Sequence, residues 1–151
     1  MFHTRPATPV DAALIAEHRQ RMFADSGQGD EAVRATVRVN FEPWVRPRLE
    51  SGEYTGWIIE LDGCPIAGAG IWWMQWPPHF LDPVPLRPYL LNVFVDPVHR
   101  GHGLARKLVE LAIEAARNRG CRVLSLHASR MGKPIYEKMG FTGTTEMMLH
   151  L

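Results

Sequence analysis

Asn92-Val93-Phe94-Val95-Asp96-Pro97-Val98-His99-Arg100-Gly101-His102-Gly103-Leu104-Ala105 is the stretch on which the reading of the fold turns. Its apolar start completes a buried strand that begins near Tyr89. Pro97 stops the strand, because proline lacks an amide proton and has a fixed φ. Two glycines come next, and then a helical periodicity begins: Leu104, Leu108, Leu111 and Ala115 on one face, with Arg106, Lys107, Glu110, Glu114 and Arg117 on the others. Gly120 closes that helix. Strand, glycine loop and helix start in this order build an anion site. The first amides of a helix lack intrahelical partners and lie at the positive end of its dipole. Glycines let a bulky phosphate reach the backbone. The same residues also suit a tight turn, since glycine is a general turn former.

Working outward, residues 2–5 read as a first strand. Thr8-Pro9 opens a helix, with Thr8 as N-cap and Pro9 in the first turn, and Leu14, Ile15, His18 and Met22 recur at helical spacing. Residues 31–49 form a second helical region carrying Val33, Val37, Phe41, Trp44 and Val45. Pro43 and Pro47 are expected to break or kink it, and Ser51-Gly52 to end it. Residues 54–61 are a strand, Asp62-Gly63 a hairpin turn and residues 65–76 the return strand. A proline-rich loop spans residues 77–88. After the helix that starts at Leu104, residues 122–127 are expected as a strand, 133–139 as a short helix ended by Gly140, and 141–151 as a final strand or hairpin. This is one domain over residues 1–151, of α/β class and α+β type: a mixed, mostly antiparallel central sheet flanked by helices.

The 151 residues suffice for one core. The chain is 46% hydrophobic and 22% charged, with net charge +1, so nucleic acid and anionic membranes are not expected as partners. No apolar run reaches the ~18–20 residues of a membrane span, and no signal core is present at Met1 to Pro6. A cytoplasmic location and reduced, partly buried Cys64 and Cys121 are the expectation.

The loop is not a P-loop, for no Gly-Lys-Ser/Thr follows, nor a dinucleotide fingerprint, for Arg106 stands where a third glycine belongs. A second segment sharpens it: Ser129-Arg130-Met131-Gly132-Lys133-Pro134-Ile135-Tyr136-Glu137-Lys138-Met139-Gly140-Phe141. Together the two segments resemble the GNAT superfamily of acyl-CoA-dependent N-acetyltransferases. Arg100, Gly103 and Ala105 fill the family's Gln/Arg-x-x-Gly-x-Gly/Ala loop pattern. The later family pattern, Asn-x-x-Ala-x-x-x-Tyr-Glu-Lys-x-Gly-Phe, keeps its second half, with Ser129 in the Asn position and Gly132 in the Ala position. The resemblance covers the chain from Ile58 onward and is weaker before it.

The resemblance implies a splayed central strand pair and acetyl-CoA as cosubstrate, with no metal. Arg100, Gly101, His102, Gly103, Leu104 and Ala105 would hold the pyrophosphate, Phe94 and Val95 the pantetheine arm, and Ser129 and Gly132 would complete the cofactor side. It further implies Val93 as the amide that polarises the thioester oxygen and Tyr136 as the acid for the leaving thiolate. A phenol keeps its proton at neutral pH and can donate it. Asn92 stands where some relatives carry a carboxylate. An amide cannot take a proton, but it can orient a substrate or a water, or satisfy local backbone. His79, Asp82, Glu60 and His127 are then the candidate bases acting through water, each also readable as solvated or structural.

His99 and His102 sit three apart without a third ligand and read as loop-surface residues. Trp72 and Trp76 share a strand face opposite Trp73, either as sheet packing or as an aromatic wall for the acceptor. The activity implied is direct acetyl transfer to a primary amine in a ternary complex. A non-catalytic acyl-CoA-binding or sensing module and a nucleotide-phosphate binder are the other readings. Small-molecule and peptide amines both suit as acceptors, and the aromatic content and final strand suit a homodimer.

Overall fold

Asp62 and Gly63 both take positive φ, 51° and 81°, the pair of left-handed residues that a tight two-residue hairpin turn requires. They join β2 (Tyr54–Leu61) to β3 (Cys64–Gln75). The computed structural model describes every residue from Met1 to Leu151. β1 (Phe2–Pro6) and β4 (Leu86–Val95) flank the hairpin, giving one antiparallel sheet in the order β1-β2-β3-β4.

Helices cover both faces. On one lie α1 (Ala12–Asp25) and α2 (Glu31–Ser51), whose Ile15, Ala16, Phe41 and Val45 close over Tyr54 and Ile58 of β2. On the other lies α3 (Leu104–Asn118), whose Leu104, Leu108, Val109, Ala112 and Ala116 pack on Ile59, Ala69, Ile71 and Leu90. A short α4 (Lys133–Lys138) comes last, with Tyr136 and Met139 at the margin of that second core. No helix is long and apolar enough to cross a membrane.

The ends of α1 and α2 are set by their caps. Thr8 and Asp11 form a reciprocal box around a single 3-10 turn before α1. The buried Asp11 also receives a two-pronged guanidinium bond from Arg5, both N–O distances 2.9 Å, which holds its carboxyl below the ordinary range. Asp30 accepts from the amide of Val33 at the start of α2, and Gly52, with φ 79°, closes it.

Four expectations need correction. α2 runs unbroken through Pro43 and Pro47. Each proline deletes one donor, but the face carrying Phe41 and Val45 is buried, and packing outweighs the local loss. Residues 122–127 are not a full strand; they touch β4 through one parallel bridge, Tyr89 to Ser125. Residues 141–151 form no strand either; apart from the Phe141 amide, which donates to the Tyr136 carbonyl, they make no backbone–backbone hydrogen bond. A strand needs a partner edge, and the neighbouring segment is itself tied to the sheet at one point. Cys64 is also exposed rather than part-buried, at the mouth of the hairpin, while Cys121 is buried in the α3 core.

Candidate active site

The centre of the site is a defect in β4. Gly68 of β3 pairs with Phe94 and Gly70 with Leu91, so β4 carries one residue more than β3 across this interval. Asn92 and Val93 have no register partner, and Asn92 takes φ 58°. Asparagine is one of the few side chains that tolerates this conformation. A bulge takes its extra residue out of the ladder and re-aims the side chains beyond it.

Asn92 is buried and held from two other elements. Arg19 of α1 donates from Nη1 to its Oδ1 at 2.9 Å, and its Nδ2 donates to the Tyr54 hydroxyl of β2 at 3.1 Å. Tyr54 is fully enclosed, and burial pushes its phenol up to about 12. Gly70 is the reason that it fits: a Cβ there would land on the Tyr54 ring and hydroxyl.

Beside the bulge the sheet opens. The Leu90 amide donates to the Ser125 carbonyl at 2.8 Å and the Ser125 amide to the Pro88 carbonyl at 3.1 Å. Past this clasp, β4 has no strand neighbour on that side as far as Val95. The open edge therefore offers main-chain groups to an extended ligand.

The strand then delivers the chain to the glycine loop. Gly101 and Gly103 have φ 82° and 74°, and Gly103 is the N-cap of α3. The amides of residues 101–106 donate to no acceptor within the chain. A consecutive row of free donors at a helix start suits an anion such as a phosphate. The Arg100 side chain is occupied elsewhere: Nη2 pairs with Asp25 at 2.7 Å and Nε donates to the Val95 carbonyl at 3.2 Å. It ties the loop to the end of α1, and the Arg100 amide donates to the Pro97 carbonyl at 3.4 Å, so the free amides begin at Gly101 rather than at Arg100. His102 Nδ1 lies 2.9 Å from the His99 carbonyl oxygen.

Tyr136 on α4 is half-buried and packs edge-on against Phe141 at 5.7 Å. Burial raises its pKa, and its hydroxyl has no partner in the chain. Gly132 leaves room for the ring, since a Cβ there would stand 3.0 Å from it, and the Ser129 hydroxyl accepts from the Gly132 amide at 3.1 Å. Serine in this position thus organises the turn into α4.

An open groove of about 670 Å³ lies between α2 and the sheet, with Phe41, Trp44, Trp72 and Tyr89 among its walls. At its margin the Tyr89 hydroxyl meets His127 Nδ1, and His127 Nε2 lies 3.8 Å from Glu146.

Residues 14–141 match the acetyltransferase (GNAT) family. The chain belongs to the GNAT family. Over its whole length it superposes on a GCN5-related N-acetyltransferase from Ralstonia eutropha, with TM-score 0.95 and 38% identity, covering 99% of that chain. It also superposes over its whole length on a predicted acetyltransferase from Clostridium acetobutylicum solved with acetyl-CoA, with TM-score 0.91 and 26% identity, covering 96% of that chain. Among curated relatives, a glucosamine 6-phosphate N-acetyltransferase of Trypanosoma brucei brucei is 37% identical over 60 residues, which are 40% of this chain and 41% of that protein. N-alpha-acetyltransferase 30 of Saccharomyces cerevisiae is 38% identical over 61 residues, 38% of this chain and 35% of that one. The aligned segments thus span well under half of both relatives.

Within this GNAT chain, the candidate bases separate. Glu60 is engaged by Arg5 at 2.7 Å on β1. Asp82 is buried, accepting from the amides of Val84 and Arg122 at 3.0 and 2.8 Å, which hold its carboxyl below the ordinary range. It pins the proline-rich loop to the start of the 122–127 segment. His79 Nδ1 sits against the Leu81 amide in the same loop. His127 alone of the four adjoins the aromatic groove. Of the tryptophans, Trp72 lines the groove, Trp73 is buried with its Nε1 bonded to Thr55, and Trp76 lies beyond β3 under Arg87. Sequence reasoning missed Arg19, Tyr54 and Tyr89. Arg19 could have been found, for it stands four residues after the buried Ile15 on an apolar helix face.

Proposed function

We propose that this protein moves an acetyl group from acetyl-CoA to a primary amine by direct transfer in a ternary complex. The observation that carries the reading is the continuity of three features along one stretch of chain. These are the bulge at Asn92–Val93, the open strand edge beside it and the row of free amides at residues 101–106. That row fits a pyrophosphate, and the edge at Phe94 and Val95 fits the amides of a pantetheine arm. Ser129 and Gly132 support from the side of α4.

Acetyl-CoA, when bound, supplies an activated acyl thioester; the chain supplies the rest. The Val93 amide is the donor for the oxygen on which charge develops, a contribution that grows in the transition state. The incoming amine must lose a proton. His127, steadied by Tyr89 and Glu146, receives it, directly or through water. The carbon–nitrogen bond forms as the carbon–sulfur bond breaks, and the Tyr136 hydroxyl, kept protonated by burial, protonates the departing sulfur.

A covalent relay through cysteine has no support. Cys121 lies in the α3 core with its thiol pKa raised by burial, and Cys64 sits at the hairpin mouth. The relatives named for a glucosamine 6-phosphate acceptor and for N-alpha acetylation suit small-molecule and peptide amines alike. Two-substrate initial-rate kinetics test the mechanism. Intersecting double-reciprocal lines are expected. Parallel lines with an isolable acetyl-enzyme would overturn direct transfer.

A further inference from the structure

Arg19 is a guanidinium without a countercharge. Seven of the thirteen other arginines have a carboxylate within ion-pair distance, and four of the remaining six are exposed to water. Arg21, on the same helix, reaches Asp96 at 2.9 Å. Arg19 reaches only the neutral amide oxygen of Asn92, and the titratable groups facing it are the phenols of Tyr54 and Tyr89. Its Nε is buried with no acceptor, and Nη2 has none in the chain. Phe23 and Phe41 each stand 4.8 Å from its central carbon and fix the plane of the fork. Arg19 is half-buried with its Nε shut off from water, and a guanidinium so placed without a countercharge calls for an anion from outside.

The groove supplies the place. Arg19 is the one charged residue lining it, among Val33, Val37, Phe41, Trp44 and Trp72. Through Asn92, its fork also adjoins the bulge that carries Val93. A planar guanidinium with unused N–H groups matches a carboxylate in geometry as well as charge. The aromatic walls match an apolar body. A fixed positive charge at the floor of the groove repels acceptors that bring several cationic groups.

We propose that the acceptor is a small amine bearing a carboxylate on an apolar body, an amino acid or related amino carboxylate, with its carboxylate on Arg19. This rests on the acetyltransferase reading of the same site and narrows it.

Matched pairs test it: phenylalanine against phenethylamine, and 4-(aminomethyl)benzoate against benzylamine, monitored by thiol release from acetyl-CoA. In the wild-type protein the acid of each pair should have the higher kcat/KM, by about 10- to 100-fold, the range of a charge-assisted hydrogen bond. Arg19→Gln should bring that ratio towards one, mainly by raising KM for the acids. Arg19→Lys keeps the charge without the fork and should fall between, and it serves if Arg19→Gln does not fold. A wild-type ratio of one or less would overturn the proposal, as would equal losses on both members of a pair, which mark a structural role. Preference for O-phosphoethanolamine over the acids would also overturn it, in favour of a phosphate.

Calorimetric titration of the CoA-loaded protein with phenylalanine and phenethylamine separates this inference from the reading beneath it. Tighter binding of the acid, lost in Arg19→Gln, with no thiol release from any amine, would keep the carboxylate site and remove the transferase. Thiol release without acid preference would do the reverse.

Discussion

Replacing Asn92 tests whether the bulge is held as described. Asn92→Ala removes the acceptor of the Arg19 bond and the donor to Tyr54, and places a Cβ-bearing residue without a compensating side chain at φ 58°. A hydrogen bond from a charged donor contributes about 1.5–3 kcal/mol and a neutral one about 1 kcal/mol. The left-handed conformation costs alanine a further ~1 kcal/mol. The expected loss is up to about 4 kcal/mol, because Tyr54 is enclosed and cannot turn to water. Asn92→Gly loses the same bonds without the backbone penalty and should be about 1 kcal/mol milder. Urea unfolding monitored by circular dichroism reads both values, and in a chain of this size the alanine variant should melt on the order of 10 °C lower. If alanine proves no worse than glycine, the backbone at Asn92 is not held left-handed. If both cost under ~1 kcal/mol, Arg19 and Tyr54 do not secure the bulge.

Tyr136→Phe keeps the packing against Phe141 and removes the proton, so turnover should fall about 10²- to 10⁴-fold with acetyl-CoA affinity little changed; an unchanged kcat would remove Tyr136 from the acid role. Gly103→Val puts a branched side chain at φ 74° in the cradle and should weaken acetyl-CoA binding at least ~10-fold by calorimetry; equal affinity would contradict the cradle. His18, stacked on Phe94 at 4.6 Å, has its pKa lowered to about 4, chiefly by burial. Its unfolded value is near 6.5, so acid favours the unfolded chain. Its contribution is full above about pH 6.5 and falls by about 3 kcal/mol as pH drops to about 4; unfolding free energies of the wild type and His18→Leu, measured from pH 7.5 to 4, should diverge in that window, and parallel curves would refute it.

How much of this was legible in the sequence depended on whether the signal was local. The Asp62-Gly63 turn demands two left-handed residues and is found as such. The loop at residues 100–105 and the segment ending at Phe141 carried the family, because their glycines meet backbone needs that few residues meet. The bulge was invisible: it is a mismatch between β3 and β4, and neither strand shows it alone. Gly68 and Gly70 marked the place, yet their purpose, admitting His18 and Tyr54, exists only in three dimensions. Arg19 was overlooked because a charged residue in a helix is ordinarily solvated. Pro43 and Pro47 misled in the other direction, since tertiary burial of Phe41 and Val45 overrode a local rule. The strands expected at residues 122–127 and 141–151 had the composition for pairing, but lacked an edge to pair with.

Loop, bulge and Tyr136 are proposed to make together an acetyl-CoA-dependent amine acetyltransferase. Thiol release from acetyl-CoA, measured across a panel of primary amines that includes amino carboxylates, tests it most directly. Release should require both the protein and an amine, rise with each, and yield the N-acetylated amine in equal amount. Acetyl-CoA bound with no release from any amine above the protein-free rate would contradict it and leave an acyl-CoA-binding module in its place.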